Sequence, residues 1–276
     1  DMVLGLSFVR ADGQIAKAGG RVVKNVAGYD LMKLFSGSYG TLGIITQVTF
    51  RVYPIPETSA TLVLSGETNA MATATQTLLK SGLTPTAADL LSASLVKQLK
   101  IGQGIGLIVR FQSISESVQE QLSQLRSQVQ RLGLQASSYR GEDETSLWQN
   151  LQQIMRTPIS DSAITCKIGV IPTAAVTILH QLDELTAETK LGMINISSGL
   201  GRFYLKSDAA LSDIKKLRSL CQEYRGFLTV LDAPTIFKQQ FEPWGYTGNA
   251  LEIMQQIKGK FDPKNILSPG RFVGGL

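Results

Sequence analysis

Residues 20–54 read GRVVKNVAGYDLMKLFSGSYGTLGIITQVTFRVYP, and their centre places a glycine at every third position: Gly37, Gly40 and Gly43. The chain then runs directly into Ile44-Ile45-Thr46-Gln47-Val48-Thr49-Phe50, a β-branched, strand-forming run. Glycine has no Cβ and tolerates positive φ, so a loop built this way can present backbone N–H groups to a phosphate or an adenine. Taken alone, the same spacing also describes a tight turn ahead of a buried strand.

The flanks decide between these readings. Upstream, Lys24-Asn25-Val26-Ala27-Gly28-Tyr29-Asp30-Leu31 leads into a short helical pattern at Leu31, Leu34 and Phe35, which returns the glycine loop over the preceding turn. Together, K-N-V-A-G-Y-D-L, K-L and G-S-x-G-T-L-G-I-I-T form a long composite motif that resembles the second lobe of the FAD-binding domain in vanillyl-alcohol-oxidase-type flavoproteins. Within that superfamily, Val26 to Leu31 is most similar to the FAD-binding E subunits of bacterial glycolate oxidase. Phe261-Asp262-Pro263 and Ile266-Leu267-Ser268-Pro269-Gly270-Arg271-Phe272 resemble that family's closing segment.

A chain of 276 residues suits one large domain or two ordinary ones. Its net charge is +5, with lysines and arginines scattered and no basic stripe interleaved with aromatics, so nothing points to nucleic acid. The two cysteines, Cys166 and Cys221, match no metal-ligand spacing and suffice for no iron–sulfur cluster, and they read as thiols of a reducing compartment. No apolar run is long enough for a transmembrane helix, and Asp1-Met2-Val3-Leu4 lacks the features of a signal peptide. The expected location is the cytoplasm or the inner face of the membrane.

Met2 to Val9, the Ala11–Gln14 turn and Ile15 to Ala18 read as a hairpin. A start on a core strand leads us to expect a truncated chain, because in the resembled family a first lobe with its own glycine-rich loop comes before. Pro54-Ile55-Pro56 ends the first region. From residue 58 to 234, strands and helices alternate. Val118, Leu122, Leu125, Val129 and Leu132 share a helical face, behind a capping box at Ser113 and Glu116. Helices are also expected over 69–79, 147–155, 173–186 and 211–221. Two strand–helix–strand rounds of similar size predict a pair of ferredoxin-like halves, an antiparallel sheet with helices on one face.

The expected fold class is therefore α+β: the C-terminal part of a two-lobed FAD-binding domain (residues 1–57), a ferredoxin-like antiparallel-sheet cap (58–234) and a C-terminal segment (235–276) returning to the first domain. Phe237, Phe241, Trp244 and Tyr246 read as packing residues of that return. A helix is expected over 251–257.

The resemblance implies a flavoprotein in which FAD takes a hydride from the hydroxyl-bearing carbon of a 2-hydroxy acid such as glycolate or D-lactate. It implies work beside a catalytic flavoprotein subunit and an iron–sulfur subunit. Candidate FAD contacts are Gly37, Gly40 and Gly43 for backbone approach, Ile44 and Ile45 for main-chain and apolar contact, and Asn25 and Tyr29 as polar groups facing the flavin. The only histidine, His180, sits among Leu179, Leu182 and Leu185 in a helical pattern and reads as an ordinary helical residue, so no catalytic base is assigned and no metal site is expected. Arg271 reads as a surface ion-pairing residue. Gly102-Gln103-Gly104-Ile105-Gly106 is no dinucleotide fingerprint, since neither a preceding strand nor an immediately following helix frames it. Two other readings share these residues: a non-catalytic scaffold subunit, favoured by the missing histidines, and an independent oxidase of another alcohol or sugar acid.

Overall fold

The computed structural model describes residues 2–23, 28–156, 163–185, 190–206 and 211–276. Asn25 and the expected helix end at Thr186 lie outside them. The chain forms two units, one from residues 1–55 with 246–276, the other from residues 56–245.

In the first unit, β1 (Val3–Val9) is the central strand, pairing antiparallel with β2 (Ile15–Gly19) on one side and β3 (Ile44–Phe50) on the other. The hairpin closes as its sequence predicts: Arg10 N–H donates to the Gln14 carbonyl, and Asp12 Oδ1 accepts from Gln14 N–H at 3.1 Å. Helix α1 (Leu31–Phe35) is one short turn, capped by the Asp30 carboxylate accepting from Lys33 N–H. It drops Phe35 onto Phe8, with ring centroids 4.2 Å apart.

The second unit carries one eight-stranded antiparallel sheet with the order β11-β8-β10-β9-β5-β6-β4-β7. Its first half runs β4 (Thr58–Gly66), α2 (Thr68–Lys80), β5 (Ala87–Leu91), α3 (Ala93–Leu99), β6 (Ile105–Ser113), α4 (Ser115–Val129) and β7 (Gln135–Arg140). Then α5 (Gly141–Arg156) crosses to the second half: β8 (Ile164–Gly169), α6 (Ala175–Asp183), β9 (Lys190–Asn195), β10 (Leu200–Leu205), α7 (Leu211–Glu223) and β11 (Phe227–Asp232). Each half places its four strands in the order fourth, first, third, second, which is the ferredoxin-like arrangement. The halves join where β5 pairs with β9, Leu90 opposite Ile194.

Period-two alternation explains the layering. Leu62, Leu64, Leu107, Val109, Phe203 and Leu205 point to one face, where α2, α4, α6 and α7 cover them. Val63, Ile108, Leu91 and Leu191 point to the other, where Leu95 and Val96 of α3 and Leu147, Leu151 and Met155 of α5 pack. Helices therefore lie on both faces rather than one. The second face is covered only in part, because its strands also carry Asp89, Arg110, Asn195 and Arg202.

Three further expectations change. The Ser113–Glu116 capping box is absent: Ser113 is still paired with Thr58 in β6, and α4 starts from Ile114 without a side-chain cap. The segment β5–α3 was not anticipated. Residues 235–245 stay with the second unit, beginning with the short helix α8 (Thr235–Gln240). Arg218 holds them there, donating to the carbonyls of Glu242 at 2.7 Å and Pro243 at 3.0 Å and lying 4.0 Å over the Phe241 ring. The chain returns to the first unit only at Tyr246, through α9 (Leu251–Phe261).

At the seam between the halves, the fully buried Ser92 hydroxyl accepts from Gly192 N–H at 3.0 Å and from Leu95 N–H, capping α3. Ser92→Ala leaves both donors unsatisfied and is expected to lower unfolding free energy by about 1–2 kcal/mol. Urea denaturation followed by far-UV circular dichroism checks this.

Candidate functional site

The glycine loop of the first unit is a chain of tight turns. Ser38 N–H donates to the Phe35 carbonyl, and Thr41 gives both its N–H and its hydroxyl to the Ser38 carbonyl. Gly37 (φ 86°), Tyr39 (φ 54°) and Gly40 (φ 78°) occupy the left-handed region, the conformation that glycine enters freely. Gly43 is needed for a different reason. A Cβ there would lie 2.9 Å from Phe35 Cε1, 3.0 Å from the Val9 carbonyl oxygen and 3.1 Å from Phe8 Cδ2. Its bareness serves the packing of the loop on the small core.

Gly40, Gly43, Ile44 and Ile45 line one surface hollow of about 560 Å³, together with Ser38, Ile266 and Ser268. Both isoleucines are exposed on β3. Gly37 lies apart from these four, at a smaller hollow of about 190 Å³ beside Phe272. Tyr29 is 92% exposed and borders a third hollow of about 670 Å³ with Met32, Arg51 and Tyr53. Arg271 is exposed, its N–H donating to the Ser268 carbonyl.

What holds the hollow's two walls together is a pair that the sequence reading missed. Lys258 and Asp262 stand one turn apart at the end of α9, their side chains 8% and 0% exposed, and meet at 2.5 Å. The Lys258 ammonium also donates to the carbonyls of Thr41 at 3.0 Å and Leu267 at 2.8 Å, which uses all three of its protons. Asp262 accepts in addition from Leu267 N–H at 2.7 Å and Ile266 N–H at 3.1 Å. Burial alone would raise the Asp262 carboxyl. The hydrogen bond from Lys258 and those from the two amides outweigh it and hold the group below the usual carboxylate range. The only legible trace of this was the i, i+4 spacing of a lysine and an aspartate.

The second unit carries its own cluster on the partly covered sheet face. Glu144 of α5, 1% exposed, accepts from the Thr61 hydroxyl at 2.7 Å, from the Ser59 hydroxyl and from Arg110 Nε at 3.0 Å. Trp148 Nε1 donates to Thr61 Oγ1 at 2.9 Å. Nearby on β5, burial pushes the Asp89 carboxyl above its ordinary range, opposed by the 3.1 Å hydrogen bond from Asn195 Nδ2. His180 is half-buried on α6, which packs on the opposite face. Among the described residues, no group of three or more His, Cys, Asp or Glu side chains could hold a metal ion, and no helix is long and apolar enough to cross a membrane.

Residues 236–272 match the family of FAD linked oxidases, C-terminal domain. Over 98% of its length the chain is 24% identical to glycolate oxidase subunit GlcD of Bacillus subtilis, of which it covers 63%. It is 47% identical over 62 residues to glycolate oxidase subunit GlcE of Escherichia coli, covering 22% of this chain and 18% of that one. The solved structure of p-cresol methylhydroxylase with substrate bound superposes with a TM-score of 0.71 at 14% identity, over 98% of this chain and 64% of that one; it speaks for the fold. These similarities support the FAD-linked oxidase family. The chain spans between half and two thirds of the length of the curated relatives that it matches along nearly its whole length.

Two outcomes are expected of the buried charges. Lys258→Met strands a buried carboxylate and is expected to cost about 3–5 kcal/mol. Because the Asp262 pKa is depressed in the folded state, its contribution is present above the carboxylate's unfolded pKa and is lost as pH falls through the folded value. Thermal melts from pH 7 downward should therefore show a steeper acid loss in the native protein than in Lys258→Met. Asp89 has the opposite sign. A carboxyl raised by folding favours the native state at acid pH and opposes it once pH rises past the folded value, so Asp89→Asn is expected to raise the melting temperature at pH 7.5 and to give little gain at pH 4.

Proposed function

We propose that this chain is the flavin-binding part of a 2-hydroxy-acid-oxidising flavoprotein, a subunit of the glycolate-oxidase type. The observation that carries this reading is the shared hollow of the first unit. Gly40, Gly43, Ile44 and Ile45 of the glycine loop face Ile266 and Ser268, which lie inside the very segment that matches the FAD-linked oxidases.

The residues there fit FAD in kind. A Cβ on Gly40 would point at Ser268 Oγ, 3.1 Å away, so the glycine keeps the hollow open. Ile44 and Ile45 offer exposed apolar flanks for a ring system, and the Ser38 and Ser268 side chains border it. When bound, FAD accepts the hydride from the hydroxyl-bearing carbon of the substrate. Gly37 and Tyr29 serve this reading as outer contacts, and Asn25 enters it by resemblance alone.

In the same reading, residues 1–57 are the second lobe of an FAD-binding domain, 58–234 form the cap that shapes the substrate pocket, and the C-terminal segment completes the first domain. The relatives' names, glycolate oxidase subunits and D-lactate dehydrogenases, support this substrate class. Similarity to both D-type and E-type subunits supports assembly in a complex of the glycolate-oxidase type; the catalytic flavoprotein subunit, the iron–sulfur subunit and a place in the cytoplasm or on the inner face of the membrane enter this reading by resemblance alone.

The test is the visible absorption spectrum of the longest native product of the gene, with the released cofactor identified by mass spectrometry and the flavin followed after adding glycolate or D-lactate. Bound FAD that bleaches supports the proposal, and a flavin-free complete protein refutes it. Gly40→Val, which places a branched side chain at positive φ against Ser268, is expected to weaken FAD binding about tenfold or more, a loss of at least ~1.4 kcal/mol.

A further inference from the structure

The partly covered face of the eight-stranded sheet holds a cleft of about 540 Å³, walled by α5 on one side and by β5, β6, β9 and β10 on the other. We infer that this cleft binds an organic monocarboxylate with an apolar body, its carboxylate held by Arg202 and its body lying against Trp148, Met155 and Met193. The inference deepens the proposed function by naming the kind of acid, and it rests on that reading only for the 2-hydroxyl group.

The cleft is built rather than incidental, because α5 is fastened to the sheet at both ends. Near its start, buried Glu144 receives Ser59, Thr61 and Arg110. At its far end, the Tyr204 hydroxyl donates to the Met155 carbonyl. The helix therefore stands at a fixed distance from the strands, and the space between them keeps its width.

Charge is uneven within this space. Arg110 already has its counter-ion in Glu144, which fixes the guanidinium and sets it 5.4 Å from the Trp148 ring centroid. Arg202 has none among the described residues. Its Nη1 donates to the Tyr204 hydroxyl at 3.3 Å, and the side chain is exposed at the edge of the cleft. Asp89, the one carboxyl lining the cleft, is buried and held by Asn195, so burial disfavours its anionic form. The cleft is thus electropositive, and a planar guanidinium fork suits a carboxylate.

Thr145, Gln149, Gln152 and Arg156 line the rim from α5, and between them lies an apolar patch, with Leu151 and Met155 buried and Trp148 and Met193 partly exposed. Clefts of roughly 300–1,000 Å³ enclose drug-sized molecules. Glycolate would leave most of this apolar patch in contact with water. An acid of the size of phenyllactate or 2-hydroxyisocaproate covers it, and each buried methylene favours binding.

Trp148 makes the proposal measurable. In Trp244→Phe protein it is the one tryptophan left among residues 1–276, and its fluorescence in this chain is titrated with phenyllactate, 2-hydroxyisocaproate, glycolate and the neutral 3-phenyl-1,2-propanediol. The expected result is saturable change with the two larger acids, about tenfold or more weaker binding of glycolate, and no saturation with the diol. Arg202→Gln, an exposed position whose melting temperature should not move, is expected to weaken phenyllactate binding about tenfold or more, the scale of one charge-assisted contact. Equal binding of the diol, equal binding of glycolate, unchanged affinity in Arg202→Gln, or no saturable signal each overturns the proposal. Flavin content is read on the same sample. Flavin-free complete protein that still binds phenyllactate sinks the flavoprotein reading and leaves this site standing, and flavin-loaded protein that binds none of the acids does the reverse.

Discussion

One buried ion pair sets the form of the smaller unit. Its apolar core is slight, with Leu6, Phe8, Phe35 and Leu42 as the fully buried members, so packing alone specifies little. Lys258 and Asp262 supply the missing specificity. Removing both charges from water is expensive, and the cost is offset only when every proton and lone pair finds a partner in one arrangement. That arrangement requires the Thr41 carbonyl, the Leu267 carbonyl and the amides of Ile266 and Leu267 to converge on the end of α9. Two segments more than two hundred residues apart in sequence are thereby held in register, and the hollow between glycine loop and C-terminal turn follows from it.

The larger unit works by the opposite economy. One face of its sheet is apolar from edge to edge under four helices, which gives a core large enough to tolerate polar groups elsewhere. The other face uses that tolerance. Alternation along β5, β6, β9 and β10 brings Asp89, Arg110, Asn195 and Arg202 to the side where α5 lies, and the same register keeps Leu90, Val109, Ile194 and Phe203 on the apolar side. A slip of one residue would exchange the two sets, so the fold and the cleft are fixed by one pattern.

This division explains what the sequence revealed. Long periodic elements were legible: α4 announces itself through Val118, Leu122, Leu125 and Val129, and the two ferredoxin-like rounds through their repetition. Short elements were not. Segment β5–α3 offers five strand residues and seven helical ones around Ser92, too few for either period to stand out, and Ser113 lost its capping role because strand pairing with Thr58 extends through it. The glycine loop was legible as a motif, yet not in the separate duties of its glycines, since Gly43 is bare for the sake of Phe8 and Phe35. The cleft residues were hidden altogether. Asp89 and Asn195 meet only through the β5–β9 seam, and a charged residue such as Glu144, on a helix of ordinary amphipathic pattern, reads as solvated until the fold buries it.

The places where local rules break are informative for the same reason. Elsewhere in the larger unit, most buried side chains follow propensity and pattern, with Asp183 and Ser65, each carrying a buried oxygen without a hydrogen-bond partner among the described residues, as exceptions. At the cleft, a glutamate is buried, an aspartate is held against its preferred charge, and an arginine lacks a carboxylate partner among the described residues, all within reach of one helix. A protein selected for stability alone would replace such groups with apolar side chains of similar volume, at no loss or at a gain. Their concentration on the one partly covered face, with Trp148, Leu151 and Met155 of α5 across from them, is the arrangement expected of a surface that gives up some stability in order to hold a charged and partly apolar ligand.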